Sequence, residues 1–228
     1  MQPFNVSEAS RVFNKPYISS TDLKNSIHKL TDYEYKGILN QWVSEGIPYA
    51  FKDNPLLFES IRLWFANHLN IEAKEITLIG SARLGFSLNP NYFGKKFGDH
   101  SDLDFVIISS RLFNECKEDF DLWKTDFEEN RITPTSKEEV YWKANKVGVV
   151  ENIKRGFIDS NKIPNRINRY PTNSKINDLC WRIYKKMEVT DAAPKIRKAT
   201  VRIYNSWPSF MNQLHINFSY LIKEIAPF

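Results

Sequence analysis

Cysteine is nearly absent from this chain. The two present, Cys116 and Cys180, are too few and too far apart for a zinc knuckle or a disulfide framework. Each sits in an apolar helical context, which predicts a buried thiol in a reducing compartment. No stretch reaches the ~20 apolar residues that a membrane span needs. The start, Met-Gln-Pro-Phe-Asn-Val-Ser-Glu, has no basic cluster followed by an apolar run. The expected location is the cytoplasm. Internal repeats and disorder-prone composition are also missing, so the 228 residues, 42% hydrophobic and 14% aromatic, are expected to build one cored domain. A net charge of +5 favours a polyanionic ligand such as a nucleotide or nucleic acid.

Residues 1–20, broken by Pro3 and Pro16, read as an arm. A helical lead-in follows over 21–70. Thr31-Asp-Tyr-Glu34 is a capping box opening a helix over about 32–45 that Gly46 closes. Asn54-Pro55 starts a second helix, with Leu57, Ile61, Trp64, Phe65 and Leu69 on its apolar face.

Chemistry concentrates in 71–110. Glu75-Ile-Thr-Leu-Ile79 is a short β-branched strand stopped by Gly80, and Gly80-Ser81-Ala-Arg83-Leu-Gly85 turns it into a short helix. A glycine there allows close approach of a phosphate, Ser81 can donate to a phosphate oxygen, and Arg83 can add a charge-assisted contact. The loop 88–100 carries Lys95 and Lys96, either facing a triphosphate or acceptor or simply solvated; His100 is a turn residue. Asp102-Leu103-Asp104 then opens a strand. Alternation puts both carboxylates on one face, with Leu103 and Phe105 on the other. Their α-carbons are expected roughly 6–7 Å apart, a spacing that suits hard cations and would otherwise repel. Magnesium is the natural candidate, since its shell combines a few carboxylates with waters and phosphates.

In the remainder, 111–228, Leu112, Phe113, Cys116, Phe120, Trp123 and Phe127 mark an amphipathic helix, and Ser136-Lys-Glu-Glu139 caps another running to about Arg155. Leu179, Ile183 and Met187 mark the buried side of a helix over 174–188, Ala199–Tyr204 is one late strand, and Trp207 to Leu221 form a closing helix. Basic residues gather here: Arg155, Lys162, Arg166, Arg169, Lys175, Arg182, Lys185, Lys186, Lys195, Arg197, Lys198 and Arg202, with Tyr170, Trp181 and Tyr184 interleaved. They read either as a surface for an oligonucleotide acceptor or as a solvated helical face. The fold class expected is α+β, a small mixed sheet with flanking helices.

The order strand, Gly80-Ser81-x-x-x-Gly85, loop, Ser101-Asp102-x-Asp104, strand resembles the signature of the DNA polymerase beta-like nucleotidyltransferase superfamily. It is similar to the version in bacterial nucleotide second-messenger and antiphage-defence synthases. The likeness covers about 35 residues. It implies transfer of a nucleoside monophosphate from an NTP or dNTP to a hydroxyl of a nucleotide, oligonucleotide, RNA or protein, with loss of pyrophosphate. It further implies Gly80, Ser81 and Ser101 at the triphosphate, and Asp102 and Asp104 on two Mg2+ ions, with Mn2+ as a substitute. The loop between Ser81 and Asp102 is longer than the pattern, and the third carboxylate that the pattern implies is not evident; Asp159 is the best-placed spare acid, either completing the site or serving as a turn aspartate. The strand Ala199–Tyr204 holds no carboxylate. A site needing one there would make the chain a weak transferase, or a nucleotide-binding module, antitoxin or regulatory subunit.

Overall fold

A computed structural model describes residues 7–225. Met1–Val6, including Pro3 of the arm, and the last three residues lie outside the described part. In chain order the elements are α1 (Ser20–Ser26), α2 (Asp32–Ile38), α3 (Pro55–Leu69), β1 (Ile76–Ile79), α4 (Gly80–Leu84) and β2 (Asp102–Ile108). They continue with α5 (Ser110–Glu128), α6 (Ser136–Lys154), β3 (Phe157–Asp159), α7 (Pro171–Val189), β4 (Lys198–Tyr204) and α8 (Trp207–Ile225). The fold is α+β. The four strands form one mixed sheet in the order β1-β2-β4-β3, in which β2 runs antiparallel to β1 and parallel to β4, and β3 runs antiparallel to β4.

Strand alternation explains how the sheet is covered. Leu78, Leu103, Phe105, Ile107, Ile158, Val201 and Ile203 share one face and pack against α3, α5, α6 and α7. On the opposite face Val106, Ile108, Phe157 and Tyr204 meet Phe210, Leu214 and Phe218 of α8, along with Trp42 and Val43. These apolar residues occupy only half of that second face. The other half, toward the start of β2 and β4, is polar, and it holds the candidate site.

Local signals set most helix ends. Thr31 caps α2 through a capping box with Glu34, but α2 ends at Ile38 and passes into a wider turn, Leu39–Val43, before Gly46. Helix α6 is capped by Thr135, whose Oγ1 accepts from the Glu138 N–H while Glu138 reaches back. The capping box therefore lies one residue before the expected Ser136–Glu139. Asp119, buried in α5, accepts the Asn173 N–H at 2.7 Å and satisfies the first turn of α7. The N-terminal segment is held by Glu34, which accepts from Ser7 N–H and Ser10 Oγ, and by Phe13 packing edge-on against Trp42. Both cysteines are free and buried, and burial pushes the Cys180 thiol up to about 12. Among the described residues no helix is long and apolar enough to cross a membrane.

Candidate functional site

Asp102 and Asp104 lie on the same face of β2, as alternation requires. β1 ends beside Asp104, because the antiparallel register pairs it with Ile79. The next residue, Gly80, has φ of +68°, and a Cβ built there would lie 3.5 Å from Asp104 Oδ2. Glycine matters here for its left-handed backbone, which brings the turn against the carboxylate; the space itself is adequate. Ser81 is half-buried, and among the described residues its hydroxyl makes no hydrogen bond to the protein.

The neighbouring strand supplies the partners. β4 is parallel to β2 and in register, pairing Asp102 with Lys198, Asp104 with Thr200 and Val106 with Arg202. Thr200 Oγ1 donates to Asp104 Oδ1 at 2.7 Å. Arg197, just before the strand, grips Asp102 with two parallel bonds of 2.9 Å from Nε and Nη2. Lys198 Nζ stands 3.8 Å from Asp102 Oδ2. Ser101 braces this end: its Oγ accepts the Gly98 N–H and its carbonyl accepts the Arg197 N–H. Its observed role is thus to align the two strand starts. Burial raises the Asp104 pKa above the usual carboxylate range and the nearby Asp102 charge adds to this, while the Thr200 hydrogen bond opposes it.

Asp159 shares the face and the cleft but not the pair. It ends β3, on the far side of β4, where Arg202 Nε donates to it at 2.5 Å and Lys162 Nζ lies 3.1 Å away. Two strand spacings put β3 about 10 Å from β2, with the Arg202 side chain between. Asp159 does not stand beside Asp102 and Asp104 as a third ligand. Among the described residues no group of three or more His, Cys, Asp or Glu could hold a metal ion. The donors at hand, two carboxylates on one strand face with Asp104 Oδ2 toward Gly80, are of the oxygen type that suits a hard cation.

Other expected contacts fall elsewhere. Arg83 is 5% exposed and turns away, donating to the carbonyls of Ile47 at 2.7 Å and Gln41 at 3.3 Å. Its place three residues into α4 carries it to the lead-in helices, so it is not a triphosphate contact in this geometry. Lys95 and Lys96 are exposed on a loop folded as a small hairpin, with Phe86 bridged to Lys96 and Lys95 lying over Tyr92. Neither lines the carboxylate cleft.

That cleft, about 340 Å³, is bounded by the three aspartates, Lys162, Lys198 and Arg202. It adjoins a larger one of about 660 Å³ between α6, α7 and the start of β4, and the two share Asn161, Lys162, Lys198 and Thr200. The larger cleft is walled by Tyr141, 68% exposed, and Trp181, 59% exposed, with the side chains of Asn145 and Asn177 inside it. Of the aromatics noted in the basic third, Trp181 and Tyr184 line this cleft, whereas Tyr170 is buried and donates to Asp126 at 3.0 Å. Many of the basic residues are already paired: Arg166 with Glu138, Arg169 with Asp126, Arg182 with Asp178 and Lys185 with Glu188.

Sequence reading missed Thr200, and it missed the pairing of Arg197 and Arg202 with the aspartates. The available signal was the polar alternation Lys198-x-Thr200-x-Arg202 at the head of a strand, which mirrors Asp102-x-Asp104. No family model, curated protein or solved structure matches the chain.

Proposed function

We propose that this chain is a metal-dependent nucleotidyltransferase, moving a nucleoside monophosphate from an NTP or dNTP to a hydroxyl acceptor. The observation that carries the reading is the convergence of Asp102, Asp104 and the Gly80 backbone on one polar sheet face, bordered by Lys198, Arg202 and Lys162. A divalent cation held by Asp102 and Asp104 would neutralise the triphosphate and acidify the attacking hydroxyl. The protein's own contribution is positional. The Gly80-Ser81 turn receives the phosphates, with the free Ser81 hydroxyl as a donor, and Lys198 and Lys162 balance their charge. Asp102 and Asp104 would hold that cation, and the proton of the hydroxyl it acidifies passes to solvent. The acceptor oxygen bonds to the α-phosphorus, the bond from that phosphorus to the bridging oxygen breaks, and pyrophosphate leaves. The aromatic cleft next door has the size and the stacking faces for a nucleobase of donor or acceptor.

A second reading, a catalytically silent nucleotide-binding module, draws on one observation. Every carboxylate of the cleft already has a partner: Arg197 on Asp102, Thr200 on Asp104, and Arg202 with Lys162 on Asp159. Labelled triphosphates with Mg2+ or Mn2+, tested beside Asp102→Ala and Asp104→Ala, separate the two. Product from wild type that disappears in both variants supports the transferase. Product that persists in both overturns the assignment, and metal-independent binding without product favours the silent module.

A further inference from the structure

A separate cleft of about 420 Å³ lies between the N-terminal segment and the turn after α2, and it shares no lining residue with the carboxylate cleft. Phe13, Tyr17 and Trp42 supply its apolar walls, exposed Lys15 and Glu45 its rim, and Arg83 its deepest charge. Arg83 is an unusual group to bury. Among the described residues no carboxylate lies within ion-pair reach of it, and its Nε is buried without an acceptor. Only two carbonyls receive its protons, and the contact from Nη2 is long at 3.3 Å. Desolvation pushes its pKa down to about 10. In Arg83 the Nε has no acceptor and Nη2 holds only the long contact to the Gln41 carbonyl, whereas Arg197 uses the same two nitrogens to grip Asp102. Gly46, with φ of +80°, keeps the approach clear, since a Cβ there would lie 3.2 Å from Arg83 Nη2. Tyr17 is fixed as a wall by its own hydrogen bond to the Ile47 carbonyl at 3.0 Å.

We infer that this cleft binds a phosphate monoester with a planar body, of about the size of a nucleoside monophosphate. The phosphate sits on the Arg83 guanidinium with Lys15 at its outer side, and the planar body lies against Tyr17 and Trp42. Arg83 and Lys15 against the single Glu45 leave the cleft net positive, which favours an anion, and the several acceptor oxygens of a phosphate suit a buried guanidinium that has no ion-pair partner and an unpaired Nε. This site is independent of the transferase reading: it uses none of the residues assigned there.

The test is calorimetric titration of the full chain with AMP, inorganic phosphate and benzoate, in chelator so that no divalent cation contributes. AMP is expected to saturate one site below roughly 1 mM and to bind more tightly than either of the others. Arg83→Gln and the rim change Lys15→Glu should each weaken AMP about tenfold or more, and Asp102→Ala should leave it unchanged. If Arg83→Gln does not fold, Lys15→Glu decides alone. Absence of saturable AMP binding up to roughly 10 mM overturns the proposal. So does AMP binding that Asp102→Ala abolishes and Lys15→Glu spares, or benzoate binding more tightly than AMP.

Discussion

At the residue scale, Asp104 combines burial, a neighbouring like charge and one neutral donor. Its folded pKa is raised, so between the unfolded value near 3.9 and that higher folded value the native state binds more protons than the unfolded one. Stability from this group is therefore greatest at low pH and is lost as pH rises through the folded pKa. Asp104→Asn keeps an acceptor for Thr200 and removes the charge; it should raise the neutral-pH melting temperature by a few degrees while eliminating transferase activity. A melting temperature that falls would refute this account of the carboxylate. Asp159 contrasts with it. Asp159→Asn leaves Arg202 without its anion and should cost roughly 1–3 kcal/mol in a urea titration, and because Asp159 stands apart from the pair, turnover should persist within about tenfold. Asp102 and Asp104 were legible in the sequence because period-two alternation alone puts them on one face. The isolation of Asp159 was not, since it depends on which strand lies between.

At the element scale, the β1–α4 junction depends on a backbone conformation. Gly80→Ala forces a left-handed φ on a residue with a Cβ and should destabilise by about 1 kcal/mol, with a larger loss of activity because the turn shifts against Asp104. Thr135→Ala, at the capping box of α6, should also cost about 1 kcal/mol, by a melt or by urea, without touching the chemistry. The elements with long, regular apolar periods, such as α3, α5 and β2, were readable from sequence. The one-residue displacement of the α6 capping box was not readable, because Thr135–Glu138 and Ser136–Glu139 satisfy the same spacing rule. Strand β3 was missed for a different reason: three residues, Phe157–Asp159, are too short to establish a period, and pairing with β4 defines them.

At the scale of the whole molecule, the positive charge of the C-terminal third is less available than its composition suggests. Arg155, Lys175, Lys186 and Lys195 form no ion pair among the described residues, whereas the other basic residues noted there face acids. For single-stranded oligonucleotides the slope of log affinity against log salt should then be about −3, far shallower than if every basic side chain met a phosphate. Filter binding across a salt series measures it, and a slope steeper than about −6 would mean that the pairs open on binding.

Asp102 and Asp104 also sit on a strand that is hydrogen-bonded along both edges, between β1 and β4. Amides at the centre of such a strand exchange with deuterium only when the whole domain opens, whereas frayed ends and loops exchange far sooner. Exchange at Phe105 and Val106 should therefore track global unfolding under increasing denaturant. The corollary concerns adaptation to ligands: the side chains of Arg197 and Lys198 and the loop before β2 are the parts free to rearrange, while the strand itself stays fixed.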